Sequence, residues 1–251
     1  MKVSIITVSY NSASCIKSCI DSILSQDYPN IEYIIIDGAS TDGTVDIIRS
    51  YGEMVSRFIS EPDQGIYDAM NKGVKLAQGD IVGLLNSDDL YANSQVISRV
   101  VQEFQSSQAD TVYGDLVYIQ DHNMDQIVRY YPGVDFHPNK LRKGMMPPHP
   151  TFFVKRHLYE TYGLFNTQYA ICADFDFMVR LFHKHEVSYS YIPEVMVKMR
   201  TGGSSTQGLK STLTINQEML QSCRSHGIQT NLPMIYSKYF SKVFQLVKKP
   251  S

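Results

Sequence analysis

Two adjacent carboxylates, Asp88 and Asp89, stand behind an amide and a hydroxyl in Asn86-Ser87-Asp88-Asp89, directly after the apolar run 81–85. Charge that close to a buried strand is costly unless it is solvated, paired or bound to a cation. Oxygen ligands suit Mg²⁺ or Mn²⁺, which take one or two protein carboxylates and fill their other positions with water and phosphate oxygens. An ion held this way neutralises a departing diphosphate. The same residue types also favour turns and helix N-termini, so the tetrapeptide alone leaves both readings open.

A second chemical segment runs from Asp37 through Gly38-Ala39-Ser40-Thr41-Asp42-Gly43 to Thr44. It places a carboxylate at a strand end, able to accept from a base N–H, and then turns into a helix that Asp42 or Thr44 can cap. Strand-turn-helix joints carry the same composition for backbone reasons alone. His149, between Pro148 and Pro150, can touch a phosphate or a hydroxyl of a ligand, or can be structural. Gly202-Gly203-Ser204-Ser205 offers either backbone amides for an anion, as a flap, or a plain linker. Tyr236, Tyr239, Phe240, Phe244 and Leu246 alternate with Lys238, Lys242, Lys248 and Lys249, a basic amphipathic pattern that can lie on anionic lipid or pack on the domain.

The elements that must position these groups follow from hydrophobic patterning. Apolar runs at 3–8, 31–36, 55–59 and 81–85 alternate with helical patterns at 14–25, 44–51, 66–77 and 94–105. Strand-helix repetition of this kind predicts a doubly wound α/β half with a parallel sheet over residues 1–110. Ligands of such sheets bind beyond the carboxyl ends of the strands. Those ends carry Ser9-Tyr10-Asn11, Asp37-Gly38, Glu61-Pro62-Asp63 and the Asn86 to Asp89 cluster. Beyond residue 111 the pattern is β-rich and irregular, with strands predicted at 113–119, 127–131, 151–154 and 187–192 and a helix at 174–183. This half, residues 111–205, is expected to cover the rim and select an acceptor, and a helical extension follows over 206–251.

Composition narrows the function classes. The 251 residues are 43% hydrophobic, enough for one full core. A net charge of -2 without a basic stripe argues against nucleic acid. Cys15, Cys19, Cys172 and Cys223 lack paired zinc spacing and are too few for a disulfide scaffold, which suits a reducing compartment. No signal-like segment and no run of the roughly 20 apolar residues needed to span a bilayer occurs. A cytoplasmic protein is the expectation, peripheral at the inner face of the plasma membrane only where its tail meets lipid rather than packing on the domain.

Taken together and in order, Thr7-Val8-Ser9-Tyr10-Asn11, the segment from Asp37 to Thr44, and Ser87-Asp88-Asp89 make the chain resemble family 2 glycosyltransferases of the GT-A fold. The run from Glu61-Pro62-Asp63-Gln64-Gly65 to Asn71-Lys72-Gly73, followed by Leu85 to Asp89, resembles the bacterial branch that builds capsule, exopolysaccharide and O-antigen repeats. The resemblance spans about residues 2–205. It implies an inverting transfer of sugar from a nucleotide-diphosphate donor, first a UDP-sugar, to an acceptor hydroxyl, with a lipid-linked sugar as the acceptor.

The resemblance also implies roles for residues. Val8, Ser9, Tyr10 and Asp37 fall on nucleoside contacts, Tyr10 stacking near the base and Asp37 at its edge. Asn11 and Asp63 share that rim, and Asn71 and Lys72 lie near the donor. Asn86, Ser87 and Asp88 occupy the DxD position, with Asp88 the first metal ligand and Asp89 the second, for Mn²⁺ or Mg²⁺. Asn86 stands where many relatives have Asp, one formal charge fewer, which predicts weaker metal affinity or a different choice of metal. Asp174 falls on the general-base position, and Ala173 precedes it where many relatives have Glu. Inverting transfer needs one such carboxylate beside the acceptor hydroxyl. Two rivals remain: a sugar nucleotidylyltransferase, which needs a basic Gly-rich loop that residues 9–14 lack, and a noncatalytic nucleotide-sugar scaffold, which Asn86 and Ala173 leave open.

Overall fold

The computed structural model describes residues 1–120, 123–201 and 208–239. Four strands, β1 (Val3–Ser9), β2 (Ile31–Asp37), β3 (Arg57–Ser60) and β4 (Ile81–Leu84), pair in parallel in the order β3-β2-β1-β4. Every residue of β1 is buried. Its near-continuous apolar sequence is what a strand covered on both faces requires.

Alternation along the strands sends side chains into two cores. On one face Ile5 and Ile35 pack with α1 (Ile16–Leu24) and α4 (Val96–Ser107). The apolar positions Ile16, Cys19, Ile20 and Ile23 recur at helical spacing and form the buried stripe of α1. On the other face Ile6, Ile34 and Ile36 pack with α3 (Ile66–Leu76), whose Gly73 lies so close to β1 that an added Cβ would sit 2.4 Å from Ile6 Cγ2. The short α2 (Thr44–Arg49) follows β2.

The second half continues the same sheet. β5 (Asp89–Tyr91), β6 (Thr111–Gln120), β7 (Asn123–Tyr131), β8 (Phe153–Lys155) and β9 (Tyr189–Arg200) complete a nine-stranded sheet in the order β3-β2-β1-β4-β8-β6-β9-β5, with β7 on β6. β8 runs antiparallel to β4, whereas β9 runs parallel to β6. Four α-helices follow α4 among the described residues: α5 (His157–Tyr162), α6 (Ala173–Val179), which continues into a π-helical turn Arg180–Lys184, α7 (Gly208–Ser225) and a short final one. The last described helix, α8 (Leu232–Tyr236), joins α7 over the face that carries α3 and α6, with Met219, Cys223 and Ile235 buried in that core.

Three differences from the sequence expectation have physical causes. The cluster expected to be all loop ends in a strand, because Asp89 pairs with Met199 across a long chain separation that local patterning cannot register. β9 is longer than the apolar run at 187–192, since its polar residues are supported by β6 and β5 on its two edges. The helix at 174–183 begins as expected but widens at Arg180. Part of the tail, Ile235 and Lys238, is buried against the domain. The flap or linker at residues 202–205, together with Phe240, Lys242, Phe244, Leu246, Lys248 and Lys249, lies outside the described residues. Among the described residues no helix is long and apolar enough to cross a membrane.

Candidate functional site

The carboxyl ends of β1, β2 and β3 converge on Asp37, the last residue of β2, which is 0% exposed. Its Oδ1 accepts from Ser9 Oγ at 3.0 Å and Ser40 Oγ at 2.5 Å. Its Oδ2 accepts from the Ser40 N–H at 2.9 Å and Ser60 Oγ at 2.7 Å. A buried carboxylate needs such partners, and here one residue from each of three neighbouring strand ends supplies them. The sequence expectation set Asp37 at the base edge; in the structure its oxygens face serines and organise the rim.

Two loops are laced together above it. The Asn11 N–H donates to Ser40 Oγ at 2.8 Å, and Asn11 Oδ1 accepts from the Thr41 N–H at 3.0 Å. The Ser12 N–H donates to Thr44 Oγ1 and the Ala13 N–H to Asp42. Asn11 sits at a φ of 47°, a left-handed conformation that Asn tolerates better than most residues. Tyr10 projects from this frame with 67% of its surface exposed, while Val8 and Ser9 are buried below it. Gly38 lies between Tyr10 and Asp63: an added Cβ would be 2.6 Å from Asp63 Oδ2 and 3.3 Å from Tyr10 Cδ2. Asp63 in turn accepts from the Gly65 N–H at 2.9 Å, where the chain enters α3. An exposed ring, a partly exposed carboxylate and a close glycine thus form one open cradle.

Asn86 to Asp89 make a turn, with the Asp89 N–H donating to the Asn86 carbonyl at 3.0 Å. Ser87 Oγ lies 2.8 Å from Ser12 Oγ, which joins this turn to the first loop. Asp88 is half-buried at the turn, whereas Asp89 is 0% exposed in β5. Neither carboxylate oxygen of Asp89 makes a hydrogen bond of normal geometry, although the Asn86 side chain and the Arg200 backbone and charge favour its charged form. Burial first, and then the charge of Asp88, push its carboxyl well above the usual carboxylate range. Among the described residues no group of three or more His, Cys, Asp or Glu side chains is placed to hold a metal ion.

On α3, Asn71 is buried and its amide is spent on the second half of the chain: Nδ2 donates to the Phe165 carbonyl and Oδ1 accepts from the Phe165 N–H, each at 2.9 Å. Lys72 Nζ bridges Glu61 at 2.9 Å and Asp68 at 3.5 Å and donates to the Pro62 carbonyl. Asn71 therefore fastens the two halves, and Lys72 braces the loop that carries Asp63.

Asp174, in the first turn of α6, stands 3.5 Å from His149 Nδ1 through its Oδ2. Its Oδ1 accepts from the Phe175 N–H at 2.8 Å and from Tyr67 Oη at 3.3 Å. The single Tyr67 hydroxyl hydrogen is shared with the nearer Ile171 carbonyl, and burial, then the Asp174 charge, raises its phenol well above the ordinary value. Asp174 and His149 retain 17% and 32% side-chain exposure, so both are open to solvent. Antiparallel pairing aligns Phe153 with Gly83, which brings the His149 loop to the carboxyl end of β4, the strand that leads into Asn86. One sheet edge therefore carries the Tyr10 to Asp63 cradle, the Asp88 turn and the His149–Asp174 pair.

Sequence reasoning named His149 and Asp174 separately and missed Tyr67, whose Ile66-Tyr67-Asp68 context reads as an ordinary helix start. It also missed Glu218, which accepts from the N–H groups of Ala170, Ile171 and Cys172 just ahead of Asp174. No local signal marks Glu218, a single acid in an amphipathic helix.

The model of glycosyl transferase family 2 matches residues 4–163. A PGL/p-HBAD biosynthesis glycosyltransferase of Mycobacterium bovis (strain BCG / Pasteur 1173P2) is 31% identical over 222 residues, covering 87% of this chain and 82% of that protein. Residues 1–349 of S. aureus TarS, solved with UDP, superpose with a TM-score of 0.69 at 17% identity, covering 96% of this chain and 72% of that one. Mannosyltransferase PcManGT from Pyrobaculum calidifontis, solved with GDP-Man and Mn²⁺, gives 0.66 at 19% identity, covering 98% and 72%. The two superpositions establish a GT-A-type α/β fold, and the family match, reinforced by the mycobacterial relative, makes the chain a member of glycosyl transferase family 2.

Proposed function

We propose that this protein is an inverting glycosyltransferase that moves a sugar from a nucleotide-diphosphate sugar to an acceptor hydroxyl on a lipid-linked saccharide in surface glycolipid or polysaccharide assembly. The observation that carries the reading is the accessible Asp174 carboxylate, paired with His149 on the sheet edge that holds the Tyr10, Gly38 and Asp63 cradle. Tyr10 stacks on the base, with Val8, Ser9, Asn11 and Asp63 around the nucleoside and Asp37 holding that frame. Asn71 and Lys72 keep the donor loop in place, and Asn86 and Ser87 shape the turn beneath the diphosphate. UDP in TarS supports a UDP-sugar as the first donor to try, and GDP-Man in PcManGT keeps GDP-sugars in the comparison.

The residues fit a divalent cation: Asp88 is partly accessible beside Asp89, whose buried oxygens lack hydrogen-bonded partners of normal geometry, and Mn²⁺ or Mg²⁺ needs one or two carboxylates beside phosphate oxygens. Asp88 first and Asp89 second would hold it, and when bound it neutralises charge on the leaving diphosphate. Asp174 takes the acceptor hydroxyl proton while that oxygen bonds to the anomeric carbon and the carbon–phosphate-oxygen bond breaks, in a single displacement. His149 beside Asp174 contacts the donor phosphate or the acceptor sugar.

A calorimetric and thermal-shift screen of UDP-, GDP- and dTDP-sugars with and without Mn²⁺ tests the reading. One donor class raises the melting temperature, about 2.7 kcal/mol of stabilisation at a hundred times its Kd. Asp88→Asn removes the part of the shift that depends on Mn²⁺. No stabilisation by any donor would sink the proposal. The basic, aromatic residues 240–251 are proposed to meet the membrane, and loss of co-sedimentation with anionic vesicles on truncation after Tyr239 tests that.

A further inference from the structure

The structure assigns Glu218, on α7, as a positioning residue that sets the backbone carrying Asp174, an inference that rests on Asp174 acting as the base. Glu218 Oε1 accepts from the Ala170 N–H at 2.8 Å, and Oε2 accepts from the N–H groups of Ile171 at 3.0 Å and Cys172 at 2.9 Å. Three consecutive amides converge on one carboxylate, and the segment they hold ends at Cys172, the residue that leads into α6. Backbone donors in a half-buried loop must find acceptors, and these have committed theirs to a side chain from a distant helix.

The grip passes directly to the reacting group. The carbonyl of Ile171, one of the clamped residues, accepts from Tyr67 Oη, and the single hydrogen of that hydroxyl is shared with Asp174 Oδ1 at 3.3 Å. Cys172 Sγ donates to the Ile215 carbonyl, a second tie between this loop and α7. One turn further along α7, Ser222 Oγ donates to Asp176 Oδ1 at 2.8 Å, and His226 Nε2 lies 3.1 Å from the same oxygen. Arg180 pairs with Asp176 Oδ2 at 3.3 Å and donates to the carbonyls of Tyr162 and Leu164. Glu218 and Ser222 share a face of α7 at i,i+4 spacing. Thus α7 holds the chain before Asp174 through Glu218 and after it through Ser222.

The chemistry of the clamp calls for a carboxylate. Two oxygens with several lone-pair directions can accept three N–H groups, and charge makes each of these bonds stronger than its neutral counterpart. Glutamine offers one accepting oxygen and presents an amide N–H₂ to donors, so Glu218→Gln releases at least one amide. A base displaced by about 1 Å costs on the order of a hundredfold in rate, while none of the three clamped amides touches the Tyr10, Gly38 and Asp63 cradle.

Hydrogen exchange on the full chain and nucleotide release from UDP-, GDP- and dTDP-sugars with Mn²⁺, by transfer or by slow hydrolysis, test this with Glu218→Gln, Asp174→Asn, their double variant and Gln221→Ala, an exposed control on α7. Exchange at amides 170–172 speeds at least tenfold in Glu218→Gln and stays at the wild-type rate in Gln221→Ala. For Glu218→Gln, kcat falls ten- to a hundredfold with the donor KM within about threefold. The double variant is no slower than Asp174→Asn, because a displaced base that is already neutral has nothing further to lose. Unchanged exchange at 170–172 overturns the clamp; loss confined to donor KM, or a loss that multiplies that of Asp174→Asn, overturns the positioning role. Where Glu218→Gln does not fold, Glu218→Asp, which keeps the charge and shortens its reach, is read by the same criteria. Unfolding of both variants assigns Glu218 to stability instead. Wild-type turnover by Asp174→Asn removes the base assignment, and the exchange arm still decides the clamp.

Discussion

Asp37 and Asp174 are carboxylates on one sheet edge, but their surroundings are assembled differently. Asp37 takes its hydrogen bonds from Ser9, Ser40 and Ser60, at sequence separations of 28, 3 and 23. Asp174 is met by Tyr67 across a separation of 107, by His149 from a loop ahead of β8, and by a backbone segment that α7 holds. Asp37 is sealed and saturated, whereas Asp174 keeps an accessible face. On the proposed function, a frame that only has to hold a nucleotide in place can be fully satisfied before the donor binds. A proposed base that must accept a proton has to leave an oxygen for the acceptor.

The sharpest way to break this contrast is to neutralise each carboxylate. Asp174→Asn is expected to lower transfer by about 10²–10⁴ while donor affinity, read by calorimetry, stays within about twofold. Asp37→Asn is expected to act on the fold, with urea unfolding showing a loss of about 2–4 kcal/mol as serine and amide donors lose their charged acceptor. Should Asp37→Asn leave stability intact, or Asp174→Asn lower it as much, the division between frame and reacting group falls.

Smaller effects refine the comparison. Tyr10→Ala removes an exposed ring and is expected to weaken donor binding by about 1–3 kcal/mol, with kcat at saturating donor preserved. A fall in kcat at unchanged affinity would move Tyr10 out of the nucleotide cradle. The Asp176 carboxyl next to the Asp174 segment gives the mildest signal. Burial pushes it up, but hydrogen bonds from His226 and Ser222 and the charges of His226 and Arg180 outweigh that and hold it below the usual carboxylate range. With a folded pKa below the unfolded value of about 3.9, its stabilisation is complete above that value and is lost as pH falls through the folded pKa. The melting-temperature gap between wild type and Asp176→Asn is therefore expected to close as pH falls below about 4. A gap that persists at pH 3 would show that the network does not depend on the Asp176 charge.

The two regions were unequally legible. The Tyr10 loop, Asp37 and the Asp88 turn stood out because each lies at the end of an apolar run, where the chain moves from buried strand to polar turn within a few residues. Their lacing, Asn11 to Ser40 and Ser12 to Ser87, was not legible, since a loop-to-loop hydrogen bond leaves no periodicity. Asp174 and His149 were visible as residue types, but their meeting depends on β8 pairing antiparallel with β4. Glu218 was invisible for the same reason, and Asp89 was misread as loop because its partner strand is β9.

The amino-acid sequence by itself determined the parallel half of the sheet, its two-faced burial and the polar ends of its strands, because period-2 and helical spacing are local consequences of backbone geometry. The tertiary structure decided which carboxylate is sealed, which stays open, and that α7 holds the segment of the proposed base. Those outcomes depend on contacts between residues far apart in the chain, and burial and hydrogen-bond satisfaction exist only once the strands and helices have packed.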